Sequence, residues 1–90
     1  MALVNFTSAL KRFYPDLQPV IVEAETVGEV LIALEKHYKG LSDFLIDEHG
    51  TLRPHMNIFI GDRLITDREN LDDRVGERDE ILIFQALSGG

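Results

Sequence analysis

The 90-residue chain has no cysteine and no tryptophan, and only three prolines. The missing thiols exclude a disulfide framework, thiolate metal ligation and a cysteine nucleophile. Lysine is scarce, at positions 11, 36 and 39 only. No apolar run approaches the ~20 residues that a membrane-spanning helix needs. The opening Met1 to Tyr14 lacks the basic start, long apolar stretch and small-residue cleavage site of a signal peptide. A cytoplasmic protein with no membrane partner is expected. Basic excess is absent too: the formal net charge is −7, a poor match for a phosphate backbone, so nucleic acid is not expected as a partner. The charge is uneven. Residues 1–40 hold four Lys/Arg and five Asp/Glu, whereas residues 41–90 hold five Arg and eleven Asp/Glu. The acidic half suits either solubility or a partner with a basic docking surface.

Hydrophobic residues make up 44% of the chain, enough for a core in a single small domain. Leu3 to Thr7 reads as a first strand. Val20, Val22 and Ala24 alternate with Ile21, Glu23 and Glu25, the period of a second strand with one wet face. The two form a hairpin whose Ser8–Pro19 connection is unusually long, and its Leu10, Phe13 and Tyr14 must pack on the domain or face a partner. Thr26 and Glu29 fit a capping box. Val27, Val30, Leu31, Leu34 and Tyr38 then share a helical face, Lys36 and Lys39 suit the end of the dipole, and Gly40 is placed to end the helix in a left-handed cap. Leu41, Phe44, Leu45 and Ile46 suggest one further helical turn. Asn57–Ile60 is a strand, Gly61-Asp62 a tight turn, and Leu64-Ile65 a brief fourth strand. Asp67 to Glu80 is a charged loop with Leu71 and Val75 as anchors. Ile81–Leu87, almost continuously apolar, is a last strand in a central position. The β-β-α-β-β-β order predicts an α+β fold, a mixed sheet of four to five strands with one main helix across one face. Residues 1–87 form the domain and 88–90 a flexible tail.

Catalytic patterns are missing. His37, His49 and His55 have no metal-ligand spacing and read as surface or structural residues. Ser8, Ser42 and Ser88 lack a nucleophile motif, and no glycine-rich phosphate loop is present. What remains is the end of the chain, Leu87-Ser88-Gly89-Gly90, directly after an apolar strand. Two residues without Cβ atoms fit a narrow channel and leave the terminal carbonyl open to attack. The carboxylate, ionised at neutral pH, is a poor electrophile until adenylation supplies a leaving group. Sulfur attack then gives a thiocarboxylate, and amine attack gives an amide.

The strand order, the approach Glu77-Arg78-Asp79-Glu80 into Ile81–Leu87 and the closing Gly89-Gly90 resemble the MoaD/ThiS family of ubiquitin-like β-grasp sulfur carriers. Leu34-Glu35, Tyr38, Gly40 and Asn57-Ile58-Phe59 resemble the subgroup that supplies sulfur for cysteine synthesis. The Ser8–Pro19 connection is longer and more aromatic than in compact molybdopterin-type members. The resemblance implies a protein co-substrate rather than an enzyme, a monomer when free, with no bound cofactor. An adenylating enzyme spends ATP on the Gly90 carboxylate, sulfide or a persulfide replaces the adenylate, and a biosynthetic enzyme accepts the sulfur. Gly89 and Gly90 match the functional pair; Ser88 and Leu87 lead into it. Strand alternation sends Leu82, Phe84 and Phe59 to the sheet face away from the helix. In β-grasp carriers that face receives the activating enzyme, and Phe84 matches the position before the tail. The same aromatics could instead pack beneath the Ser8–Pro19 connection. A ubiquitin-like modifier joined through Gly90 to lysines, and a non-covalent interaction module, are the other readings of the same residues.

Overall fold

The computed structural model describes residues 1–85. Five strands form one mixed sheet: β1 (Ala2–Phe6), β2 (Val20–Val22), β3 (Met56–Ile60), β4 (Arg63–Leu64) and β5 (Glu80–Gln85), in the spatial order β2-β1-β5-β3-β4. The last strand lies in the middle, parallel to β1 and antiparallel to β3. Strand neighbours on both sides and a helix layer over one face account for its buried Ile81 and Ile83.

The main helix, α2 (Val27–His37), crosses that covered face. Its buried Val27, Val30, Leu31 and Leu34 follow the 3.6-residue period and meet Val4, Phe6, Ile58, Ile81 and Ile83 in one core. The capping box forms with a shift of one residue. Thr26 Oγ1 accepts from the Glu29 N–H at 3.2 Å, but Glu29 Oε1 accepts from the Glu25 N–H rather than that of Thr26. The other free donors of the first turn are met by the distant 71–75 loop: the carbonyl of Asp73 accepts from Val27 N–H and that of Leu71 from Gly28 N–H. Leu71 adopts φ 57° to do so, a left-handed conformation costing roughly 1–2 kcal/mol for a residue with a Cβ. Burial of its side chain in the core offsets that cost.

Several expectations shift. Gly40 is left-handed at φ 90° as anticipated, yet α2 already ends at His37, and Gly40 instead precedes α3 (Leu41–Leu45). The Glu35 carboxylate accepts from the Gly40 and Ser42 N–H groups and bridges the two helices. The hairpin connection is not a plain loop: α1 (Ser8–Lys11) forms one turn within it. That connection folds back on the helix side, with Leu10 and Leu17 in the core and Phe13 and Tyr14 against Phe44 of α3, ring centroids 5.2 and 5.7 Å apart. Asp67–Glu80 is more than a solvated face. Asp67 caps the N–H groups of Glu69, Asn70 and Asp72, and Arg68 donates to the carbonyls of Arg53 and Met56 at 2.8 Å. Leu71 and Val75 are its buried anchors, as the spacing indicated.

Candidate functional site

On β5 the side chains divide cleanly. Ile81 and Ile83 are buried under α2, while Leu82 and Phe84 are only half-buried on the other face. On β3, Met56, Ile58 and Ile60 are buried and Phe59 is half-buried in the same sense. Antiparallel pairing sets Phe59 opposite Leu82 and Asn57 opposite Phe84. Phe59 and Phe84 are thus diagonal neighbours, and their rings stack with centroids 5.3 Å apart and planes 18° from parallel. The structure brings together the three surface residues expected from alternation. Phe13 and Tyr14 of the Ser8–Pro19 connection meet Phe44 on the helix side, so the Phe59–Phe84 pair is not what they pack on.

The patch reaches further than alternation alone indicated. Leu64 of β4 pairs with Phe59 and is 44% exposed, which extends the row Leu82–Phe59–Leu64 to the sheet edge. On the other side Leu3 pairs with Ile21, itself largely exposed. Leu64 was readable in principle. A two-residue Gly61-Asp62 turn dictates that Ile60 faces Arg63 and Phe59 faces Leu64, and Gly61 does take the positive φ, 63°, of such a turn. Polar positions sit among the apolar ones: Asn5 pairs with Leu82 and Glu80 with Leu3.

Electrostatics reinforce the frame rather than build a reactive centre. Burial alone would raise the pKa of Asp73, whose side chain is 5% exposed. The N–H groups of Asp67 and Thr66, the Thr66 hydroxyl and the Arg63 guanidinium together hold it below the ordinary carboxylate value. Asp67 is held low chiefly by the Asn70 N–H. Among the described residues no group of acidic or histidine side chains is arranged to hold a metal ion. His37, His49 and His55 are all exposed. No helix among the described residues is long and apolar enough to cross a membrane. Leu87, Ser88, Gly89 and Gly90, the expected reactive end and its approach, lie outside the described residues. β5 delivers the chain to that end from the centre of the sheet.

A five-stranded mixed sheet with its last strand central, one long helix across one face and an apolar opposite face defines a ubiquitin-like β-grasp domain. Comparison with known proteins makes this specific. The chain belongs to the ThiS family, which it matches over residues 4–90. It is 30% identical over 89 residues to the sulfur carrier protein CysO of Mycobacterium tuberculosis, covering 97% of this chain and 96% of that protein. It is 32% identical over 65 residues to small archaeal modifier protein 3 of Haloferax volcanii, covering 72% and 70%. The crystal structure of M. tuberculosis CysO superposes with a TM-score of 0.81 at 25% identity, over 97% of this chain and 100% of that one. A chain of the Amycolatopsis orientalis BexX/CysO complex superposes at 0.84 with 22% identity and full coverage of both, a likeness of fold.

Proposed function

We propose that this protein is a sulfur carrier acting as a co-substrate, with Gly90 as its working end. The observation that carries the reading is the extent of the family match, which continues past the central strand through Gly89 and Gly90. In the activation step a Gly90 carboxylate oxygen attacks the α-phosphorus of ATP in the activating enzyme. Pyrophosphate leaves and an acyl adenylate forms. Hydrosulfide then attacks the acyl carbon, AMP departs with the carboxylate oxygen bonded to phosphorus, and a proton is lost, leaving a thiocarboxylate. A persulfide donor reaches the same product through an acyl disulfide, whose S–S bond a second thiol must cleave. The carrier has no thiol of its own to intercept the adenylate. A biosynthetic enzyme then takes the sulfur; cysteine, thiamin and molybdopterin synthesis are the candidate destinations, with cysteine supported by the likeness to CysO. The cytoplasm, which holds ATP and reduced sulfur, is the compartment this chemistry requires.

The open sheet face supports the docking part of this reading. Phe84, Leu82 and Phe59, joined by Leu64, form an apolar surface at the strand that carries the tail. An activating enzyme seated there holds the root of the tail while its active site takes the end.

A second reading, attachment of Gly90 to lysines of other proteins, has a specific observation behind it: the likeness to a small archaeal modifier protein. The two share activation and differ in the nucleophile. Intact mass after incubation with the activating enzyme, ATP and sulfide separates them. A gain equal to replacement of one oxygen by sulfur is the expected result. Adducts with other proteins in extract in its place favour the modifier. Deleting Gly90 is expected to abolish thiocarboxylate formation while thermal unfolding stays unchanged; retained formation defeats the mechanism.

A further inference from the structure

β2 is an edge strand. It pairs with β1 on one side, and among the described residues no other segment bonds to the outer edge of Val20–Val22. A groove of about 210 Å³ runs along α2 and reaches Glu23, the residue that follows β2; it is lined by Glu23, Glu29, Ile32, Ala33 and Lys36. The four helix residues fall at i, i+3, i+4 and i+7, a single stripe of α2. Its middle is apolar: Ile32 is 63% exposed, more than any other large hydrophobic side chain among the described residues. The ends of the groove differ in charge. Glu23 just follows β2 and Glu29 lies in the first turn of α2, so both carboxylates flank one end. Lys36, in the last turn, flanks the other.

We infer that this groove accepts an extended peptide segment that adds to β2 as a sixth strand, with a β-branched residue on Ile32 and Ala33. Its basic residues lie beside Glu23 and Glu29, and an acidic residue beside Lys36. Three features converge on that occupant. Unpaired strand-edge N–H and C=O groups are satisfied by another extended backbone. The exposed isoleucine in the groove offers a contact for one side chain of an alternating segment. The charges at the two ends complement a segment that is basic at the Glu23–Glu29 end and acidic at the Lys36 end. A second copy of this chain is a poor occupant, because it carries the same net charge of −7. The surface lies off the open face, and its test needs neither ATP nor sulfur, so the result is independent of the carrier reading.

The test is a titration of the isotope-labelled full chain, followed by amide NMR, with a synthetic peptide having a Val-Ile-Val centre, lysines at one end and glutamates at the other. Amide shifts are expected along Val20–Glu23 and at Ile32, Ala33 and Lys36. Ile32→Glu, at an exposed site, is expected to leave the helical circular dichroism unchanged and to weaken binding ~10-fold or more; Glu29→Lys is expected to weaken it less. A peptide with proline at its centre, or with glutamates at both ends, is expected to bind detectably worse. The inference is overturned by no shifts, by shifts confined to Leu82, Phe59 and Leu64, by equal binding of the proline peptide, or by concentration-dependent changes at β2 without peptide, which indicate a second copy.

Discussion

Ile81 and Ile83 leave β5 in one direction, Leu82 and Phe84 in the other, and the two pairs have similar hydrophobicity. The first pair is sealed under α2 and holds the domain together. The second lies half-open beside Phe59 and Leu64. The difference is topological rather than chemical. One helix layer covers one face of the sheet, and the apolar residues on the other face keep part of their surface in water. Burial of this kind on the covered face contributes roughly 25 cal/mol per Å²; on the open face the same contribution becomes available only when a partner excludes the water. The lesson is that one strand divides its alternate residues between a sealed core and an open face, and it is the open face to which the proposed function assigns docking.

That division can be broken most forcefully from the covered side. Ile83→Ala is expected to cost about 2–5 kcal/mol of unfolding free energy, because Ile83 is fully buried and its loss leaves a cavity; urea denaturation measures it. Phe84→Asp tests the open side. It is expected to weaken association with the proposed activating enzyme by ~10-fold or more, by loss of an apolar contact and desolvation of a charge, yet to cost much less stability than Ile83→Ala. Isothermal titration beside the same urea curves compares the two, and an unchanged affinity removes the docking role. A smaller effect is expected at the helix start, where Thr26→Ala removes the acceptor of the Glu29 N–H and costs ~1 kcal/mol.

The weakest expected effect is that of pH. Glu35, Asp47, Asp67 and Asp73 are all held below their ordinary values by hydrogen bonds from the fold. A lowered folded-state value means the unfolded chain binds protons first. Their stabilisation is therefore complete above the ordinary carboxylate range and declines as pH falls through it toward the folded values. Melting temperature measured from neutral to acid pH should fall, and Glu35→Gln should reduce that slope, since Glu35 takes the Gly40 and Ser42 N–H groups only as a full acceptor when ionised. A slope unchanged in Glu35→Gln discards its share.

Much of this was legible along the chain. Period-two alternation separated Ile58, Ile60, Ile81 and Ile83 from Phe59, Leu82 and Phe84, because the pleat sends successive side chains to opposite faces. The capping residues marked the start of α2 within a residue. Other features were not legible because they depend on residues distant in sequence. The left-handed Leu71 has no local signature, since a leucine avoids that conformation unless a tertiary bond rewards it. The turn of α1 is short and weakly periodic, and packing of Leu10 against the core secures it.

From its residues alone, then, the chain determined which side chains could be buried, where the main helix begins and that its end carries paired glycines. These are consequences of local geometry and of the chemistry of each residue. Only the tertiary structure decided that the last strand sits between β1 and β3, that Leu64 completes the open patch, and that an exposed isoleucine of α2 lines one groove with Glu23, just after β2. Such facts depend on strand order and register, set by the simultaneous burial of residues far apart in sequence.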